Sequence, residues 1–486
     1  MTTSKHLRRT TTGVPGLDEI LDGGLFETGL YVIQGIAGAG KTILANQICF
    51  HQAAQQRKAV YYTLLTEAHD RMFGFLQSMS FFDAARIPSD VSYISGFKVL
   101  ETEGLLGVVR NIREIMSKVR PSLLVIDGLV SAEDIAPNDT VFKKFLHEIQ
   151  TVSAMFRCTV LLLTNVEAAT RLQAEHTMVD GIIDLRATVV RLKPQRTIEV
   201  PKFRGSGQVR GTHSLEITND GIVVQPRLEA ILKYGPKPQG GPTARRPFGI
   251  AGLDAALGGG LTERSNTMLL GPSGIGKTVL GMHYLSEGAA RGEPGIFFTF
   301  YEQPEDLLAK AARLGMTPFV EGVKAGTVRI LWKSSVEANL DSVGNELLRE
   351  FEQVKPSRMF IDGMHGFQVT ADHAERIQDF FAAITDYFLS QGTTLVFTAE
   401  SDDFLGAAAI GPPFRNASRM CQNILVLRFS EARGRLVRIF SIIKMRDSGF
   451  DPALREMTID DTGVAVGAPI TDLDHLLGGQ PSRVKD

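Results

Sequence analysis

Cysteine is scarce. The 486-residue chain has three, Cys49, Cys158 and Cys421, odd in number, far apart and without a CxxC pair. A disulfide scaffold, a zinc ribbon and a cysteine-ligated cluster are thereby disfavoured, and a reducing compartment is the expected setting. Charge of one sign is missing as well: 52 Lys and Arg stand against 54 Asp and Glu, a formal −2. Such a chain is built neither as a basic sleeve for nucleic acid nor as an acidic disordered tail. No apolar run is long enough to span a bilayer. The opening MTTSKHLRRTTTG runs straight into Gly, Pro and Asp, with no apolar stretch behind its basic residues. A cytoplasmic protein without a membrane partner is the expectation.

What is present is core-forming material. A hydrophobic share of 43% excludes disorder throughout, and the length accommodates about two to four domains. Comparing the chain with itself shows how they are arranged. TTGVPGLDEILDGGL, ending at Leu25, returns as RPFGIAGLDAALGGGL, ending at Leu261, an offset of 236. GIAGAGKT returns as GPSGIGKT at the same offset, LLVIDG returns as RMFIDG with Asp127 matched to Asp362, and Lys202-Phe203-Arg204 returns as Lys444-Met445-Arg446. Landmarks repeated in one order mean duplication. Between the copies, residues 233–247 are rich in Pro and Gly and read as an exposed linker. Beyond the second copy, PITDLDHLLGGQ echoes the LDxxLxGG opening with too few residues after it for a third domain, and is expected to form a short tail helix.

Within the first copy, Leu30 to Ile33, Ala59 to Leu64, Leu123 to Ile126 and Thr159 to Thr164 read as buried strands, with amphipathic segments such as Thr42 to Gln55 and Thr140 to Phe156 between them. Near-continuous apolar strands separated by helices predict an α/β fold with a mostly parallel, doubly wound sheet. After Gly181, and again from NILVLRF, the rhythm becomes β only, so each copy is expected to end in an antiparallel hairpin.

GxxxxGK[ST] is a weak signal alone. Here it follows a predicted strand, opens a helix and precedes an apolar strand ending in Asp, twice over. Gly35, Gly38, Ala39 and Gly40 form a loop whose backbone N–H groups can cradle phosphate oxygens at a helix N-terminus. Lys41 would meet the β and γ phosphates, and the Thr42 hydroxyl would ligate Mg²⁺. Gly271, Gly274, Ile275, Gly276, Lys277 and Thr278 repeat every part. Asp127 and Asp362, each ending a strand beside its P-loop, are the expected further holders of Mg²⁺, with helix capping as the competing account. Hydrolysis or transfer also needs a carboxylate to orient the attacking oxygen. Glu67, closing VYYTLLTE, and Glu302, closing IFFTFYE, are the candidates, with plain surface glutamates as the alternative. Lys202 and Arg204, like Lys444 and Arg446, fall on one face of a terminal strand. Two such cations suit a γ-phosphate during transfer. Their own P-loop is not obviously within reach, so a neighbouring subunit's nucleotide is the expected target; charge protection of an edge strand is the alternative.

These motifs together resemble the KaiC-like branch of the RecA-type ATPases across nearly the full chain. The resemblance implies two tandem RecA-like domains at 1–232 and 248–466, a 233–247 linker and a 467–486 tail, assembled with ATP between subunits into a homohexameric double ring. The family's paired catalytic glutamates map onto Leu65-Thr66-Glu67 and Tyr301-Glu302, one carboxylate per site. Its autophosphorylated pair maps onto Ser418 and Arg419, leaving Ser418 as a candidate phosphoacceptor. Three functions follow as expectations: a Mg²⁺-dependent ATPase and autokinase serving as a signalling or timing hub for unknown partner proteins, a DNA-handling motor, and an ATP-locked scaffold. The fold alone does not separate them. The charge balance, with no Lys/Arg run interleaved with aromatics, speaks against nucleic acid.

Overall fold

The computed structural model describes residues 8–66, 69–165, 178–190, 193–232, 244–336, 338–401, 420–432, 434–446, 448–461, 463–471, 473–474 and 482–483. The chain divides into two compact units, Met1–Ile231 and Leu232–Asp486.

Each unit is built on a nine-stranded sheet. In the first, the strand Leu30–Gly35 is the middle strand of the nine and belongs to a run of six parallel strands, lying between Thr159–Asn165 and Gly181–Val190. Leu123–Asp127, Ala59–Thr63 and Val91–Ser95 continue the parallel half outward. On the other side, Lys193–Phe203 pairs antiparallel with Gly181–Val190, followed by Thr212–Thr218 and Gly221–Gln225. The second unit repeats the pattern around Asn266–Gly271, flanked by Thr394–Glu400 and Asn423–Ala432. The fold is therefore the duplicated α/β architecture expected from the sequence.

The reason the parallel strands are apolar throughout is visible in how each divides its side chains. Along a strand, successive side chains point to opposite faces. Tyr31 and Ile33 join a core with the helix Lys41–Ala54, while Leu30 and Val32 join a separate core under the helices Phe97–Val119 and Asp139–Phe156. Both faces are covered, so no polar alternation survives.

Two features depart from the expectation. The antiparallel end of each sheet holds more than a hairpin, because Thr212–Thr218 with Gly221–Gln225, and Arg455–Asp460 with Gly463–Pro469, add a second antiparallel pair. The first strand of each added pair, Thr212–Thr218 and Arg455–Asp460, mixes polar with apolar residues and carries no long apolar run. The expected tail helix lies largely outside the described residues; within it, Leu473–Asp474 pairs as an antiparallel strand with Ser482–Arg483 just beyond it. Among the described residues, no helix is long and apolar enough to cross a membrane.

Candidate functional site

In both units the glycine-rich loop runs from the C-terminal end of the central strand into the N-terminus of a helix. Gly35 ends its strand with φ 153°, and a Cβ there would stand 2.1 Å from the Leu185 carbonyl oxygen. Gly40 and Gly276 precede the helices Lys41–Ala54 and Lys277–Ala290 at φ 109° and 111°, a region open to glycine and strained for other residues. A Cβ on Gly276 would lie 2.3 Å from Ile459 Cδ1. Ala39 and Ile275 tuck into the core and anchor each loop from beneath. Gly38 and Gly274, at the crest, face open space.

The two lysines are held alike. Lys41 Nζ donates to the carbonyls of Gly35 at 2.8 Å and Ile36 at 2.9 Å, and Lys277 Nζ to those of Gly271 at 2.7 Å and Pro272 at 2.8 Å. Burial lowers the pKa of both ammonium groups; Asp127 opposes this in the first unit, Glu400 and Asp362 in the second. Each cation is thus folded back over its own loop.

The strand-end aspartates sit in different surroundings. Asp362 is 3% exposed. It accepts hydrogen bonds from the Thr278 hydroxyl at 2.7 Å and the Thr398 hydroxyl at 2.8 Å. Burial raises its pKa, with the two hydroxyls and Lys277 pulling the other way and the Glu302 charge adding to the rise. Asp127 instead accepts from the Tyr61 hydroxyl at 2.5 Å. Burial and that carboxylate push the phenol's pKa well up, which keeps it a donor. An open N–H loop, a lysine, a threonine hydroxyl and a strand-end carboxylate form a donor set that fits a nucleotide phosphate with a hard divalent cation. In the second unit the Thr278–Asp362 contact joins the two expected cation holders directly.

Of the expected glutamates, Glu67 lies outside the described residues, as does Ser418. Glu302 is described, and Lys310 Nζ donates to both of its carboxylate oxygens, at 2.6 and 2.5 Å. The hairpin cations fall toward the other edge of the sheet. Lys202 is opposite Ile182, which pairs with Val32, three residues before Gly35. At about 3.3 Å per residue that is about 10 Å back along the sheet from the P-loop, and two strands across. Lys444 stands opposite Ile424, itself paired with Met268, three residues before Gly271. The Arg204 backbone N–H donates to Asp180 O at 2.8 Å and that of Arg446 to Gln422 O at 3.1 Å, so both arginines leave their strands at equivalent points. Burial first, and the neighbouring Arg204 or Arg446 charge second, lower the pKa of Lys202 and of Lys444.

Several contacts of the site were not part of the sequence reading, which named Leu65 and Tyr301 only as positions in the glutamate motif and did not name Asn165 or Glu400. Tyr301 packs against Gly363 as Leu65 packs against Gly128, just beyond the aspartates. Glu400 ends the strand beside Gly271 where Asn165 ends the one beside Gly35. The 235–236 offset that matched the P-loops also relates Leu65 to Tyr301 and Asn165 to Glu400, and was the signal available for them.

The sequence family described as ATPase: KaiC matches the chain twice, over residues 10–229 and 246–470. The chain is similar to the circadian clock oscillator protein KaiC of Picosynechococcus sp., at 28% identity over 500 residues that take in 99% of this chain and 93% of that protein. KaiC of Rippkaea orientalis is 26% identical over 499 residues, and KaiC of Synechococcus elongatus 25% identical over 500, each with 99% of this chain and 93% of the relative covered.

Proposed function

Because the chain belongs to the KaiC family of ATPases, we propose that it is a Mg²⁺-dependent ATP hydrolase that holds one nucleotide per unit between the subunits of a homohexamer and switches partner proteins with its nucleotide state. A timing role is part of the proposal, because the relatives are named circadian clock proteins. The observation that carries the chemistry is the duplicated strand–loop–helix with its lysine folded over the loop and, in the second unit, its threonine bonded to the strand-end aspartate.

In this reading the loop N–H groups bind the phosphates. Lys41 and Lys277 swing from the loop carbonyls to the β and γ oxygens, exchanging neutral acceptors for charged ones. Thr42 with Asp127, and Thr278 with Asp362, hold Mg²⁺, which neutralises charge on the phosphates. Glu67 and Glu302 orient the attacking water. The strand register supports a role in trans for Lys202, Arg204, Lys444 and Arg446, since it sets them back from their own P-loop.

The test is to incubate the protein with γ-labelled ATP and Mg²⁺, following released phosphate and protein-bound label together. Released phosphate that requires Mg²⁺ is expected; binding without release would overturn hydrolysis. Label retained at Ser418 would extend the reading to autophosphorylation. Light scattering should show a mass that rises with ATP, since ligand at an interface stabilises the assembly by mass action.

A further inference from the structure

Glu302 has a lysine partner at a position where the first unit's sequence has no lysine. The helix Pro304–Arg313 starts two residues after Glu302, with Pro at its first turn and Glu305 and Asp306 suited to its N-terminus. Leu307 and Ala311 are buried and fix the helix, which places Lys310 on the side facing back toward Glu302. The ammonium caps both carboxylate oxygens, and the two side chains are each 26% exposed. At the same 235-residue offset that relates Glu67 to Glu302, Lys310 corresponds to Phe75, which is 64% exposed.

A carboxylate that orients water must present a free lone pair to it. The second unit's carboxylate has one cation across both oxygens, close enough to Asp362 for its charge to act there. We propose that Lys310 is a brake on the second site: it holds Glu302 in an ion pair from which the carboxylate must be released before each turnover, whereas the first unit carries Phe75 at the corresponding position. The proposal rests on the reading of Glu302 as the water-orienting group. It makes Lys310 a regulatory residue that acts through Glu302 without touching nucleotide.

The fraction of released Glu302 sets the rate, as for any ligand that needs a minor state. A partly exposed ion pair depletes that state by about 2- to 5-fold, and salt weakens the pair. Steady-state phosphate release is measured on the full chain in a Glu67→Gln background, which leaves a nucleotide site in the first unit. Lys310→Met should raise kcat by about 2- to 5-fold at unchanged KM. It should also abolish the rise of kcat with ionic strength that the Lys310 protein shows, whereas Lys310→Arg should keep both the slow rate and the salt response. The Glu302→Gln/Lys310→Met double variant should be as slow as Glu302→Gln. An unchanged or lower kcat in Lys310→Met, with Lys310→Arg matching the parent, overturns the brake. Full turnover in Glu302→Gln alone overturns instead the assignment of Glu302, and the two failures are therefore distinct.

Discussion

The two units share a frame and differ at the strand ends. Both central strands end in a glycine loop, and both lysines bond the same two loop carbonyls. Around that frame, the second unit surrounds its aspartate with hydroxyls from Thr278 and Thr398, a tyrosine over Gly363 and an extra carboxylate at Glu400. In the first, the hydroxyl comes from Tyr61 on the opposite neighbouring strand, the cover is Leu65, and Asn165 stands where Glu400 would. Phosphate binding depends on backbone geometry and one lysine, so duplication preserves it. Rate depends on the charges beside it, and these have diverged.

The largest expected effect tests whether the shared frame extends to the cations. Lys202→Ala with Arg204→Ala, or Lys444→Ala with Arg446→Ala, should slow the corresponding turnover by about 1,000-fold, the scale of an arginine supplied to a transferring phosphoryl group. Mixing a subunit that lacks hairpin cations with one whose P-loops are dead should restore activity where the two types adjoin. No rescue in mixed rings that demonstrably form would place the cations in service of their own subunit.

Next come the P-loop lysines. Lys41→Ala and Lys277→Ala should each weaken ATP binding in one unit by about 30-fold or more, as expected on truncating a charge that pairs with phosphate. Calorimetry should then show one tight site remaining in each single variant. Loss of both sites from one substitution would mean the units do not bind independently.

A smaller change sharpens the contrast between the aspartates. Thr398→Val removes a fully buried hydroxyl bonded to Asp362 and should destabilise the second unit by about 1.5–3 kcal/mol, the value of a hydrogen bond to a charged group. Tyr61→Phe should cost less, because its bond to Asp127 is only partly buried. Denaturant melts of the two variants give the order, and the reverse order would contradict the burial argument.

The smallest effect is one of pH. Burial raises the Asp362 pKa, so the folded protein keeps a proton there at pH values where a free carboxylate has lost it. Mg²⁺ competes with that proton. The Mg²⁺ concentration for half-maximal turnover in the second unit should therefore climb as pH falls through the raised range, which begins above the ordinary value of about 4, by at most about tenfold per pH unit. A Mg²⁺ midpoint in the second unit that does not climb at any point as pH is lowered toward the ordinary carboxylate value of about 4 would remove Asp362 from the cation site. In the metal-free protein the same proton makes the second unit lose stability as pH rises through that window.

Much of this architecture was legible because parallel strands buried on both faces leave unbroken apolar runs, as Leu30 to Ile33 and Leu123 to Ile126 do, and because a phosphate loop is a local pattern of glycine and lysine. The last strands of each unit were not, since Thr212–Thr218 mixes exposed and buried residues and its pairing with Glu199 and its neighbours is a tertiary matter. The partners of the aspartates were hidden for another reason: Thr398 and Tyr61 come from strands on opposite sides of the one that bears the carboxylate, and no spacing within the chain distinguishes them. Lys310 lies eight residues beyond Glu302 across a turn, outside any motif that the repeat preserved.

The position of the central strand also governs when a site can exist. Leu30 pairs with Val160, and Tyr31 with Gly181, about 130 to 150 residues further along. On the ribosome the phosphate loop is made well before the two strands that flank it, so the strand that carries it has no ladder on either side until residues beyond Thr159 have emerged. Such distant pairing is slow to form and leaves an apolar edge uncovered in the meantime. Nascent chains halted before Thr159 should then be prone to association and unable to retain ATP, so that competence for nucleotide reports completion of the unit during synthesis.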